Sequence, residues 1–454
     1  MASLAEALAG TPARAAQPGP RYLKPGWPLS VLYLGFPVWW ALGLAQVIFF
    51  AMALAMAVIL RRQGPLRVPR GFAPWLLFLV WMLAGAFLVR ATAPGTVPGG
   101  GIGRLANFAV WAGWYVAITI AMLYVANTAR QVSTQRIVRL LGWMFVVTTS
   151  FGVLAVLAPT LEFESPMELV LPHSVVSTNF VRTLIHPSLS STSDFLGYVQ
   201  PRPTAPFPYS NAWGNNLALY LPFFVLGWFG RDAGWRRRLG PFVLVAAAFP
   251  IIFSLNRGLW ISLALAAGYA AVRLAVNGRT RALQGLVAAL VIGGIAFASS
   301  PLYDTLVLRV ETPHSNDRRA GTAETVVSTA AHGSPFVGYG TTRTMQGSFS
   351  SLAGGETESC HQCAAPPLGT QGFMWRLVLT TGFGGTVLCL SFFALQFLRR
   401  ARGADPLDVT TCTVLLVAVL CFFVYDSLGS AMFTALIAVG LMARGDAAPS
   451  EEAA

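Results

Sequence analysis

The sequence predicts an all-α protein: a polytopic bundle of about twelve membrane-spanning helices, with two long polar loops on one side. Three observations lead there. Of 454 residues, 55% are hydrophobic and only 11% are charged, whereas soluble domains carry about 25% charged residues. Mean hydropathy is +0.60, and apolar runs near membrane-crossing length recur down the chain. Acids are confined, with none between Glu6 and Glu162. These features exclude a soluble enzyme, a disordered regulator and a disulfide-stapled miniprotein. A net charge of +13 could suit nucleic acid, but the charge is spread between apolar runs, so no nucleic-acid partner is expected. Lys24 is the only lysine among 31 basic residues.

The spans follow in order. Pro28 to Leu60 is uncharged and would reach about 50 Å as one helix, too long for a core of about 30 Å. It reads as two short spans broken near Gly43. Gly71–Val89, Leu105–Ala126 and Ile137–Ala158 come next. An irregular loop, 159–210, precedes Asn211–Gly230, Gly240–Ser254, Leu259–Leu274 and Leu283–Ser299. A second loop, 301–370, precedes Gln371–Leu398, Thr410–Tyr425 and Ser430–Met442. Residues 28–443 thus form one transmembrane domain, between tails 1–27 and 444–454 whose composition predicts disorder. The second loop contains an amphipathic helix, capped by Asp317 and closed by Gly333. Its apolar face is Ala323, Val326, Val327, Ala330 and Ala331.

Basic residues orient the bundle. Twelve spans put the clusters near Arg61, Arg136, Arg237, Arg279 and Arg400 on one side, with both termini. By the bias of basic loops toward the cytoplasm, that side is cytoplasmic. Both long loops then face outward. No signal peptide is evident, since the first apolar run is too long for one.

Ten arginines remain on the outer side, several at span boundaries, among them Arg202, Arg257, Arg318, Arg319, Arg343 and Arg376. A charge at a membrane boundary is costly unless it is paired or binds something. A cluster of guanidinium groups suits a diphosphate, and the bland alternative is pairing with loop acids or lipid phosphates.

Four stretches resemble the O-antigen ligase/polymerase superfamily, in order. Arg202-Pro-Thr-Ala-Pro-Phe-Pro-Tyr-Ser-Asn211 is similar to its Arg…Gly-x-Phe…Pro-Asn signature. Ser254-Leu-Asn-Arg257-Gly258 is similar to Ser-x-Ser-Arg-Gly. Arg309 through Arg318 and Arg319, ending in Ser334-Pro-Phe-Val-Gly338-Tyr-Gly340, resembles its outer loop. Thr381-Gly-Phe-Gly-Gly385 resembles the span that follows. The resemblance runs over roughly residues 30–440. It implies an enzyme that takes a glycan from a polyprenyl-diphosphate carrier and transfers it to a glycan, lipid or protein acceptor at the outer face. It implies neither a cofactor nor a metal. Arg202, Arg257, Arg318 and Arg319 would hold the diphosphate, and Asn211, Arg343 and Asp426 would serve the acceptor or secondary contacts.

Two positions depart from the pattern. Ala205 replaces a glycine, and Gln371 stands where many members carry a histidine. Glutamine is no base at neutral pH. Either Gln371 only orients the acceptor, or a base comes from elsewhere. His361, ten residues upstream, is the leading candidate; His314, Asp317, Glu356, Glu358 and Asp426 are others.

Cys360-His-Gln-Cys363 offers too few ligands for structural zinc. An oxidising outer compartment favours a Cys360–Cys363 disulfide. A flippase, a transporter or a non-catalytic assembly subunit is the alternative. Spans nearly free of acids, with polar density at one face, favour chemistry at a surface over alternating access.

Overall fold

The computed structural model describes residues 25–98, 101–193, 200–230, 232–298, 303, 314–346 and 367–445. It is mostly helical. The first apolar segment gives α1 (Trp27–Leu34), α2 (Phe36–Ala41) and α3 (Val47–Arg61). The expected break falls between α2 and α3, where Gly43 takes φ 75°. Next come α4 (Ala73–Ala84, extended by a 3₁₀ turn Gly85–Leu88), α5 (Gly101–Asn127) and α6 (Thr134–Leu157). Then follow three short helices, α7 (Pro166–Val170), α8 (His173–Val176) and α9 (Asn179–Ile185), and strands β1 (Ser190–Ser193) and β2 (Gln200–Pro203). Long helices resume with α10 (Ser210–Phe229), α11 (Arg236–Phe253), α12 (Arg257–Val276) and α13 (Thr280–Ala298). The chain ends with α14 (His314–Gly333), α15 (Phe373–Arg400), α16 (Pro406–Val424) and α17 (Ser430–Gly445).

Five helices, α5, α6, α12, α15 and α16, are long and apolar enough to cross a membrane. Shorter apolar helices include α3 and α17. The core runs through α17, which is buried from Ser430 to Met442. A helix that is apolar all round belongs inside, and α17 is enclosed by α5, α16 and α10. α6 lies along α10, and α15 packs on α4 and α16. On α13, Leu290, Ile292 and Ile295 are exposed, as side chains facing lipid would be.

The basic loops gather at one end of the bundle, tied by hydrogen bonds. Arg67 N–H donates to Asn127, and Gln63 to Gln131. Gln135 donates to Asp232, Arg273 to the Gly403 carbonyl and Arg400 to the Met442 carbonyl. Arg444 donates to the carbonyls of Val125 and Val132.

The structure corrects two sequence expectations at the other end. Residues 159–210 are not irregular throughout: they hold α7 to α9 and an antiparallel hairpin in which Ser191 pairs with Arg202. The amphipathic helix starts at His314, so Asp317 lies inside it rather than capping it. Its buried face is Val326, Thr329 and Ala330, while Val327 and Ala331 are exposed. The reason is its seat. Val326 and Ala330 pack with Ala93, Tyr339, Leu368, Val378 and Leu379 on one side only. The helix does end at Gly333 as expected.

α15 breaks at Gly382 (φ 64°, ψ −175°). The loop Ser334–Gly340 fills the gap. Tyr339 N–H donates to the Leu379 carbonyl at 2.8 Å, Gly340 N–H to Thr380 at 2.9 Å, and Phe383 N–H to Pro335 at 2.7 Å. Backbone groups freed by a broken helix need partners, and here the loop supplies them. A Cβ on Gly382 would sit 2.5 Å from the Phe336 carbonyl, so only glycine allows the approach.

Candidate functional site

The expected site residues gather at the end of the bundle opposite the basic loops, around Tyr425. Arg202 leaves β2 and is 8% exposed. Its Nε donates to the Ser254 carbonyl at 2.6 Å, pinning the hairpin to the α11–α12 turn. That turn passes through Leu255, which has φ 50°. A non-glycine residue in the left-handed region stores on the order of 1–3 kcal/mol and is characteristic of functional sites. Asn256 then caps α12, its Oδ1 accepting from Leu259 N–H, while its Nδ2 donates to the Ser210 carbonyl. The Tyr425 hydroxyl also donates to that Oδ1.

Arg257 stands at the boundary of two helices, as the first residue of α12 after the turn from α11. The positive end of the helix dipole and the guanidinium therefore coincide, which favours an anion there. Gly258 follows because the Tyr425 ring lies against its backbone: a Cβ would come within 2.8 Å of Tyr425 Cζ. Arg319, on α14, is close enough to feel Arg257 and Tyr425. Burial pulls its guanidinium below the usual arginine range, with Arg257 acting in the same direction and Tyr425 against it. Tyr425 in turn is in the field of Arg319 and Arg202. Three arginines from three separate segments thus share one neighbourhood. Arg318 belongs to the same helix, but its side chain lies outside the described residues.

A second group adjoins the first. Phe373 N–H donates to the Tyr425 carbonyl at 2.7 Å, which lays the start of α15 along the α16–α17 turn. Gln371, just before α15, is half-buried and makes no side-chain hydrogen bond among the described residues. One turn on, Arg376 pairs with Asp426 and stacks 4.5 Å over the Trp111 ring. The Arg376 side chain is 7% exposed and that of Asp426 38%. Asp426 therefore sits in a mouth, open on one side. The surrounding protein still pushes its carboxyl above the usual carboxylate range, with Arg376 pulling it back. Tyr209 faces the same acid. Burial raises its phenol, Asp426 raises it further, and a hydrogen bond with Thr183 lowers it. Asn211 is half-buried in the first turn of α10. One turn below, Asn215 Nδ2 donates to Ser427 Oγ at 3.0 Å.

Arg343 is not part of this mouth. It is 1% exposed and donates to the carbonyls of Leu88, Val89, Ala91, Tyr339, Thr341 and Thr342. Burial, reinforced by Arg104, pulls its guanidinium down to about 10, with Tyr339 opposing. Six carbonyls engage both of its terminal nitrogens; it is a clasp between the loop and the 3₁₀ turn. His361, Cys360 and Cys363 lie outside the described residues.

Tyr425, Tyr209, Asn215 and Asn216 were not foreseen. An Asn-Asn pair inside an apolar run was the available signal. Both asparagines are 1% exposed, and the Oδ1 of each is buried without a hydrogen bond among the described residues. No metal-binding group of His, Cys, Asp or Glu occurs among the described residues. The class the fold defines is a helical protein whose apolar helices can cross a membrane and whose polar end carries an arginine cluster beside a carboxylate. No family model matches the chain, and no curated protein matches it at a significant level.

Proposed function

We propose that this protein is a multi-pass membrane enzyme, with about twelve spans and both termini cytoplasmic, that transfers a glycan from a polyprenyl-diphosphate carrier at the outer face of the cytoplasmic membrane. The observation that carries this reading is the grouping of three arginines around Tyr425: Arg202 and Arg319 act on its hydroxyl, and Arg257 begins the helix whose Asn256 and Gly258 lie against it. A diphosphate is the ligand such a cluster fits, since guanidinium groups bind phosphate oxygens in pairs. The carrier tail would lie among the lipid-facing helices.

In this reading the acceptor hydroxyl attacks the anomeric carbon. The bond from the anomeric carbon to the carrier diphosphate breaks, its electron pair stays on the leaving diphosphate oxygen, and the arginines neutralise the negative charge that develops there, with inversion at carbon. The hydroxyl proton needs a destination. Asp426 supplies one: it is open to the mouth, its carboxyl is held above the ordinary carboxylate range, and Arg376 holds it in place. A base works best with a pKa near the operating pH. Gln371, as a neutral donor and acceptor, orients the acceptor. Whether the glycan is polymerised or ligated depends on the acceptor, because the chemistry is shared.

The test is to delete the gene and analyse lipid-linked glycans. Single repeat units accumulating means a polymerase, and long chains a ligase. An unchanged pool would sink the proposal.

A further inference from the structure

A cavity of about 260 Å³ opens along β1, whose Ser191 pairs with Arg202 of the arginine cluster. Its walls include Trp40, Gln46, Glu162, Arg182, His186 and Ser190. The size falls just below the roughly 300–1,000 Å³ of pockets for drug-sized ligands and suits one or two sugar rings.

Its central group is His186. Glu168 closes a capping box on α7, its Oε2 accepting from Ser165 N–H at 2.7 Å. The other oxygen, Oε1, lies 2.9 Å from His186 Nδ1. A carboxylate oxygen only accepts, so Nδ1 carries a proton and donates to Glu168. Nε2 is buried, has no hydrogen bond among the described residues, and stands 3.6 Å from Glu162 Oε2. The Glu168 contact fixes the ring, leaving a buried ring nitrogen without a hydrogen bond in the wall.

The charge here is mixed, unlike that of the arginine cluster. Glu162 would repel a diphosphate, whereas the acceptors of Glu162, the unpaired ring nitrogen of His186, donors on Arg182 and Gln46, and the hydroxyl of Ser190 match a polyol. Trp40 offers the apolar surface a sugar ring needs. Arg182 is exposed and makes no ion pair among the described residues. Thr183, next in the wall, reaches Tyr209, which faces Asp426. The cavity thus adjoins the carboxylate assigned above to the acceptor proton.

We infer that this cavity binds an uncharged sugar unit of the acceptor glycan, an inference that rests on the transfer reading for the word acceptor but not for the sugar. The probe is a set of neutral trisaccharides (maltotriose, mannotriose and chitotriose) titrated against the full-length protein in nanodiscs, with saturation-transfer NMR as readout. At least one should bind. Arg182→Ala and Glu162→Gln, both at the cavity rim, should each weaken it about 3- to 10-fold, and Ser190→Trp should abolish it. Arg257→Ala should bind the sugar as wild type does, because the diphosphate cluster is elsewhere. In a transfer assay, Arg182→Ala should raise KM for the acceptor and leave KM for the carrier substrate unchanged. No binding by wild type, or undiminished binding by folded Ser190→Trp, overturns the inference. So does a rise in the carrier KM alone. Sugar binding that survives in a protein that transfers no glycan would remove the transfer reading and keep the sugar site.

Discussion

The Tyr425 hydroxyl donates to Asn256 Oδ1, joining the end of α16 to the first turn of α12. Because Asn256 also caps α12, this bond sets where Arg257 begins the helix. Tyr425→Phe should therefore shift Arg257 without unfolding the protein. A net hydrogen bond contributes about 1 kcal/mol. The variant should melt slightly lower, and if the same amount is lost in the transition state, transfer should fall nearly tenfold. Wild-type initial rates in Tyr425→Phe would show that the bond does not position the cluster.

The cluster itself is tested by Arg257→Ala and Arg319→Ala. Losing a charge-assisted contact made in the transition state costs about 2–4 kcal/mol, or roughly 30- to 1,000-fold in rate. Arg257→Lys should stay impaired, since an ammonium cannot reproduce a bidentate contact. Arg237→Ala, exposed at the opposite end, should be nearly silent. Folded Arg257→Ala protein with full activity would refute the clamp.

Asp426 gives a pH dependence. The protein around its mouth raises its carboxyl, so the active deprotonated form is lost as pH falls through that raised value. The transfer rate should therefore rise with pH along an acid limb placed above the ordinary carboxylate range. Asp426→Asn should abolish most activity and remove the limb from what remains. A limb that persists in Asp426→Asn assigns the proton to another group.

Arg343 and Arg257 should fail in opposite ways. Arg343→Ala removes the donor that six carbonyls share inside the protein. An unsatisfied buried polar group costs about 1–3 kcal/mol, so the variant should be poorly recovered and melt well below wild type. The fraction that folds should transfer at the normal rate. A stable Arg343→Ala protein with a raised acceptor KM would restore it to the site.

The cysteines can be counted. Cys389, Cys412 and Cys421 are buried free thiols among five cysteines in all. Unfolded, unreduced protein should take three thiol labels, and reduced protein five. Five labels without reductant would exclude the Cys360–Cys363 bridge.

Much of this architecture was legible in the sequence because apolar length and charge placement are local. The break near Gly43, the boundary at Arg257 and the stop at Gly333 all follow from single residues or short runs. The arginine cluster was legible as residues but not as a place, since Tyr425 is distant in sequence from Arg202 and Arg319. The hairpin was missed because its strands are rich in serine and proline, which lack strand propensity. The face of α14 was misassigned because alanines pattern like core on either side of a helix, and only the seat on α15 chooses between them. His186 escaped notice because its partner Glu168 lies across two turns, although Ser165-Pro-Met-Glu168 announces a capping box.

The break at Gly382 fastens α14 from below. The loop joining Gly333 to Gly340 is bonded backbone to backbone into the gap, and Val326 is the last of the α14 side chains seated in the apolar cluster. Arg319 stands seven residues further out, about 10 Å at 1.5 Å per residue. It is carried on a helix whose inner end is clamped at this seat. A small tilt at the clamp becomes a larger displacement at the guanidinium. Rigidity inside the bundle is thereby converted into fine placement of one charge at its surface, and a substitution at Gly382 should be felt first at Arg319.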